Sequence, residues 1–333
     1  MSSELKYAVF GSGSWATAIV KMLCENLDEV GWYVRKQQTI DYILSEEHNP
    51  SYLSSVELHM NQLKLESDIN KLAAYADILI FAIPSAFIET ELAKLNIDIS
   101  SKIIVSAVKG IIPESGLLVG EHFHEKHSIE LDNIAVLAGP CHAEEVALER
   151  LSYITIACTN LTIAEEVAAQ FYSHYIRTKT HDDVIGAEYA AMLKNIYAIA
   201  AGVAHGLGYG DNFQSVLMSN ATREMKRFIK SVHKMKRNIN ETVYLGDLLV
   251  TGYSVFSRNR MFGNMIGKGY TVKSAQMEMS MIAEGFYAAK SAFLINQESK
   301  TPSKAPIINT VYEILYLHKN PKESFKKLTE KLC

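Results

Sequence analysis

A chain of 333 residues is too long for one typical core and fits two domains. Its net charge of −4 lacks the basic field that nucleic-acid binding needs, and 48% hydrophobic residues is ordinary for a soluble globular protein. The four cysteines, Cys24, Cys141, Cys158 and Cys333, lie far apart with no C-x-x-C, which argues against a disulfide framework or a structural metal and fits a reducing, cytoplasmic compartment.

The chain opens on an apolar strand, Tyr7–Phe10, that leaves no room for a signal peptide. It runs directly into Gly11-Ser12-Gly13-Ser14-Trp15-Ala16 and a helical stretch over Ser14–Asn26. G-x-G-x-x-A between strand and helix is the dinucleotide fingerprint in its required context. Gly11 permits the tight turn, Gly13 lets a pyrophosphate approach the backbone, and Ala16 allows close helix–strand packing. The opening N–H groups of the helix favour an anion.

A second strand over Val30–Val34 ends in Arg35-Lys36, where NAD-binding sites place an acid for the ribose 2′-hydroxyl. Two cations there suit a 2′-phosphate, which favours NADPH while admitting NADH. The alternative is a solvated strand end. Further strands are expected at Ile78–Ile83, Ile103–Val108, Ile134–Ala138 and Tyr153–Ala157, with a helix over Ala86–Leu95 between the first two. Continuous apolar runs alternating with helices indicate a doubly wound, Rossmann-type α/β domain. The apolar run Ile78–Ile88 contains Pro84 and Ser85 and is too short for a membrane span, so no membrane insertion is expected.

The strand ends carry the polar residues. Ser85 could cap the next helix, touch the cofactor, or both. Lys109, before Gly110, either faces the cofactor crevice or is an exposed loop lysine. Gly139-Pro140-Cys141-His142-Ala143-Glu144-Glu145 reads as a helix start. Cys141 and His142 have no partner motif for nucleophilic or metal chemistry.

From about residue 183 helical periodicity dominates. Residues 1–182 are therefore read as the dinucleotide-binding domain and 183–333 as an all-helical domain. Helices are expected over Val184–Ala204, Asn212–Val232, Ala275–Ala292 and Ile307–Leu317, and the lysine-rich end Lys319–Lys331 as a solvated face. Lys194 sits among Ala190, Ala191, Tyr197 and Ala198 on a helix. A lysine on such a face is a candidate acid/base group, because burial disfavours its charged form, or else it snorkels at the rim. Gly246-Asp247 and Ser257-Arg258-Asn259-Arg260 follow in glycine-flanked stretches, where Asp247 could pair with a lysine or accept a substrate hydroxyl. The second has a phosphate-binding composition, its alternative being a basic surface loop. Glu284 alone says little.

These pieces occur in a recognisable order, and the chain resembles the NAD(P)-dependent glycerol-3-phosphate dehydrogenases of the bacterial type nearly end to end. The resemblance implies reversible NAD(P)H-dependent reduction of dihydroxyacetone phosphate to sn-glycerol 3-phosphate, supplying glycerophospholipid synthesis. It implies Lys194 as the acid at C2, with Lys109 and Asp247 orienting the substrate. It places Gly139 and Cys141 along the substrate pocket and has Arg258 and Asn259 grip the substrate phosphate, with Ser257 beside them. Gly11, Gly13, Ser14, Trp15, Arg35, Lys109, Ala143, Arg258, Ile282 and Glu284 fall on cofactor positions. A homodimer is a family-level expectation. The chain departs from the pattern at Ala16, Cys141, Tyr244 and Met261. A different hydroxy-acid dehydrogenase is disfavoured by Ser257-Arg258-Asn259, and a non-catalytic NADPH sensor by the presence of Lys194 and Asp247.

Overall fold

The computed structural model describes residues 5–113, 115–279 and 283–332. The chain divides into two units, Met1–Val108 with Leu117–Val184, and Lys109–Gly116 with Ile185–Cys333.

In the first unit the elements are β1 (Tyr7–Phe10), α1 (Ser14–Leu23), β2 (Val30–Tyr33), α2 (Gln37–Glu46), β3 (Leu63–Glu66), α3 (Ile69–Tyr75), β4 (Ile78–Phe81) and α4 (Ser85–Leu92). Then follow β5 (Ile103–Ser106), α5 (Val119–His127), β6 (Ile134–Ala138), α6 (Ala143–Ala147), β7 (Ser152–Cys158), α7 (Leu161–Phe171) and β8 (Ile176–His181). The strands form one eight-stranded sheet in the order β3-β2-β1-β4-β5-β6-β7-β8. Strands β1, β2 and β4 are buried at every residue, as apolar strands covered on both faces must be. Pairing is parallel except between β6 and β7, where Ala138 lies opposite Thr155. The chain leaves β1 towards β2 on one side and returns to β4 on the other, so β1/β4 is the switch point where α/β sheets bind ligands. Phe10 is in register with Tyr33 and Phe81, which brings three carboxyl ends level at that point.

Two strands carried no apolar run that could be read from sequence. They are β3 and β8, which lie at the two edges of the sheet and are largely half-buried or exposed. Ser85 does not cap α4: the N-cap position is Pro84, with no side-chain cap, and Ser85 is the first helical residue, buried.

In the second unit the helices are α8 (Val184–Gly206), α9 (Asp211–Val232), α10 (Asp247–Tyr253), α11 (Arg258–Gly267), α12 (Val272–Glu278), α13 (Gly285–Glu298), α14 (Pro306–Tyr316) and α15 (Pro321–Thr329). The single helix expected over Ala275–Ala292 is instead two, α12 ending at Glu278 and α13 starting at Gly285. Nor is the lysine-rich end merely a solvated face. Its helix α15 buries Ser324, Phe325 and Leu328 on one side and presents its lysines on the other.

Helix α8 is buried continuously from Gly186 to Ala204. Its contact with α11 is backbone against backbone. A Cβ on Gly202 would lie 2.0 Å from the Arg260 carbonyl oxygen, and one on Gly263 would lie 2.1 Å from that of Ile199. Gly206 and Gly267 continue the stripe one turn on. At the start of α13, a Cβ on Gly285 would lie 2.6 Å from the Asn195 oxygen. Glycine is thus required for the close approach of α8 to α11 and to the start of α13.

Candidate active site

Two constellations carry chemistry, one in each unit. In the first, Gly11 adopts φ +127° as the chain leaves β1, and a Cβ there would lie 2.6 Å from the Ala82 oxygen. Only glycine meets both conditions. Gly13 is different. Its φ is −82° and nothing lies within 4 Å of where its Cβ would be, so neither strain nor protein packing demands a glycine. The missing side chain leaves open space above the backbone at the start of α1, whose cap carries no side-chain hydrogen bond. That is the cradle a pyrophosphate needs, and these residues fit a dinucleotide. Ser14 and Trp15 are the first two residues of the helix.

The turn is held from below. Trp32 Nε1 donates to the Gly11 carbonyl at 2.7 Å. Asn49, 1% exposed, donates to the Ser12 carbonyl at 3.1 Å and to Thr17 Oγ1 at 2.9 Å, while its own oxygen accepts from the N–H groups of Ser51 and Tyr52. Sequence reasoning passed over Asn49. Its spacing from the fingerprint is not fixed by any local rule, and Asn-Pro-Ser reads as an ordinary turn.

A cavity of about 300 Å³ opens beside the turn, lined by Gly11, Gly13, Tyr33, Arg35, Phe87 and Glu91 among others. Arg35 reaches Glu91 Oε1 through one guanidinium nitrogen at 3.2 Å. Lys36 is exposed at the N-cap position of α2. Gly139 has φ +129°, and a Cβ there would lie 2.7 Å from the Tyr153 oxygen, so the β6–β7 packing accounts for this glycine. Cys141 is buried and donates to the Gly139 carbonyl. The helix start read at Pro140 falls at Ala143, after the N-cap position His142.

The second constellation lies in the helical unit. Lys194 is 2% exposed on α8, and its Nζ donates to Asp247 Oδ1. Asp247, also 2% exposed, opens α10 directly after a π-helical turn over Thr242–Gly246. Such turns often mark functional positions. The carboxylate's other oxygen, Oδ2, is buried with no hydrogen-bond partner among the described residues. A buried unsatisfied carboxylate oxygen is costly and calls for a donor.

Asn195, next to Lys194, donates to the Lys109 carbonyl at 3.1 Å. Its oxygen accepts from Asn259 Nδ2 at 3.0 Å, and Asn259 Oδ1 accepts the Gly285 N–H at 2.9 Å. Asn259 therefore braces three segments through its amide. Ser257 caps α11, its hydroxyl accepting the Arg260 N–H, and Arg258 is the first residue of that helix. Glu284 occupies the N-cap position of α13. Ile282 lies outside the described residues. The helical unit thus gathers Lys194, Asp247 and the backbone of Lys109 with the Asn259 brace, and the first unit gathers Gly11, Gly13, Ser14 and Arg35. No helix among the described residues is long and apolar enough to cross a membrane.

Two family models match the chain: the NAD-dependent glycerol-3-phosphate dehydrogenase N-terminus over residues 6–168 and the corresponding C-terminus over residues 183–326. A glycerol-3-phosphate dehydrogenase [NAD(P)+] of Exiguobacterium is 35% identical over 323 residues, covering 96% of this chain and 94% of its own. That of Bacillus subtilis is 35% identical over 313 residues, covering 93% and 90%. Among solved structures, glycerol-3-phosphate dehydrogenase from Coxiella burnetii superposes with a TM-score of 0.88 at 25% identity, covering 98% of this chain and 99% of that one. D-mandelate dehydrogenase with NADH shares the fold alone, with a TM-score of 0.61 at 13% identity over 94% of this chain and 98% of that one.

Proposed function

The chain belongs to the NAD-dependent glycerol-3-phosphate dehydrogenase family, and we propose that it reduces the C2 ketone of dihydroxyacetone phosphate to sn-glycerol 3-phosphate, reversibly, with NAD(P)H. The observation that carries this reading is the buried Lys194–Asp247 pair with its unpartnered carboxylate oxygen. An ammonium held by a carboxylate is placed to give a proton to a developing alkoxide, and its charge stabilises that alkoxide. Asp247 Oδ2 has the acceptor capacity that the substrate's C1 hydroxyl supplies a donor for. In the reverse direction Lys194 takes the proton back.

Arg258 is assigned to the substrate phosphate, with Ser257 fixing the helix start and Asn259 anchoring it to Asn195. Binding energy from this remote phosphate positions the carbonyl. Lys109 is the second cation of the site, its backbone held by Asn195. Gly139, Cys141, Ala143, Ile282 and Glu284 are assigned to substrate and cofactor walls by the family resemblance. Gly11, Gly13, Ser14, Trp15 and Arg35 hold the dinucleotide, which supplies the hydride when bound. Arg35 at the end of β2, with no acid at that position, favours NADPH over NADH. A cytoplasmic homodimer serving glycerophospholipid synthesis completes the proposal.

The test is loss of reduced-nicotinamide absorbance with dihydroxyacetone phosphate, NADPH and NADH compared, and Lys194→Ala run alongside. Turnover in the parent and its loss in the variant is expected. A protein that binds NADPH yet leaves dihydroxyacetone phosphate unreduced would overturn the substrate assignment.

A further inference from the structure

Arg35 and Glu91 are the charged residues lining the cavity beside the glycine turn, and they are paired with each other. Their environments differ. The Arg35 side chain is 60% exposed, whereas that of Glu91 is 6% exposed on the inner face of α4. Glu91 Oε1 takes Arg35 at 3.2 Å. Its Oε2 takes the Tyr33 hydroxyl at 3.0 Å and Lys94 Nζ at 2.7 Å. Tyr33 is the last residue of β2, so the acid absent from that strand end is present there in space, supplied by a helix 56 positions further on. Burial opposes ionisation of this carboxyl, but hydrogen bonds from Lys94, Tyr33 and Arg35 outweigh it and hold the group below the usual carboxylate range.

We propose that Glu91 is a specificity-determining residue of the dinucleotide cleft: as counter-charge to Arg35, it sets how strongly the site prefers a 2′-phosphate over a 2′-hydroxyl. The inference rests on the cofactor assignment made above. With a 2′-hydroxyl ligand, Arg35 keeps its anion and no cation is stranded beside the ribose. With a 2′-phosphate, the guanidinium fork is shared between two anions, and the fixed carboxylate repels the phosphate that Arg35 attracts. Glu91 thus reduces the preference that Arg35 creates and leaves the cleft open to both dinucleotides. Reading the strand end alone, as Arg35-Lys36 without an acid, overstates selectivity for NADPH.

Glu91→Gln separates charge from position. The amide oxygen still accepts from Arg35, and the Tyr33 hydroxyl can accept from the amide nitrogen as readily as it donates to an oxygen. The probes are adenosine 2′,5′-bisphosphate and adenosine 5′-monophosphate, titrated by calorimetry at fixed ionic strength; neither carries a nicotinamide, so binding is read without turnover. In Glu91→Gln the affinity ratio of bisphosphate to monophosphate should rise on the order of tenfold, the size expected for removing one partly screened charge beside a phosphate. Glu91→Ala, a substitution that suits helix α4, should move the ratio the same way. Arg35→Ala should bring it down towards one. A ratio that stays at the parental value or falls in either Glu91 variant overturns the proposal while leaving the cofactor assignment intact. A parent protein that binds neither probe overturns both.

Discussion

The Lys194–Asp247 pair makes a prediction in which stability and catalysis separate. Lys194→Met removes the ammonium and keeps most of the side-chain volume. It leaves Asp247, 2% exposed, as a buried carboxylate that has lost its partner at Oδ1 and has none at Oδ2 among the described residues. Breaking a buried pair from one side costs about 3 kcal/mol or more, because the remaining charge is uncompensated. For a unit of this size that lowers Tm on the order of 6–12 °C. Turnover should fall by about 10²–10⁴-fold through loss of the proton donor. Adding Asp247→Leu removes the stranded charge, so the double variant should recover most of the lost Tm and none of the lost turnover. Thermal melts followed by circular dichroism, with kcat from nicotinamide absorbance on the same preparations, read both effects. A Lys194→Met protein that melts with the parent would refute the buried ion pair. One that retains near-parental kcat would refute the role of Lys194.

Three other predictions follow from separate parts of the molecule. Arg258→Ala should raise KM for the phosphorylated substrate at least tenfold, the loss expected for one charge-assisted contact, and an unchanged KM would place the phosphate elsewhere. Gly263→Ala would set a methyl 2.1 Å from the Ile199 oxygen and 2.9 Å from the Val203 nitrogen, both backbone atoms that cannot rotate away. A loss of about 3 kcal/mol should appear as a lower urea midpoint; a parental midpoint would refute the backbone-to-backbone contact. Glu224 is buried on α9 and accepts the N–H groups of Ile307 and Ile308 at the start of α14. Burial pushes its carboxyl up to about 7 from 4.5, against the pull of those two N–H groups. Because the folded state then holds a proton that the unfolded chain releases, the stability this group contributes is fully present below about pH 4.5, falls as pH rises to about 7 and is gone above it. The contribution of this group is roughly 3 kcal/mol. Urea midpoints across that window should show the slope, and Glu224→Gln should flatten it.

Much of the glycine turn between β1 and α1 was legible because its rules are local. Gly11 and Gly13 stand between a strand and a helix within a few residues; the first is required by its backbone, and the second leaves open space where a side chain would stand. Lys194 was legible through its neighbours at helical spacing, all small or aromatic. The edge strands β3 and β8 were missed because an edge strand need not be apolar. The reversal of β7 was missed because strand direction leaves no mark on a burial pattern. In α15, buried Phe325 and Leu328 were masked by the count of surrounding lysines.

By itself, then, the sequence determined which segments form the parallel core, where the backbone makes its glycine turn from strand to helix, and which lysine lies on an apolar helix face. These follow from periodicity and from the conformational reach of single residues. Only the tertiary structure decided what those residues meet. Glu91 reaches Arg35 from 56 positions away, Asn49 braces the turn from a distant loop, Asp247 closes on Lys194, and the glycines of α8 find those of α11. The reason is physical: a charge or a hydrogen-bonding group is indifferent to sequence distance, and its partner is whatever packing of the core carries to within about 3 Å.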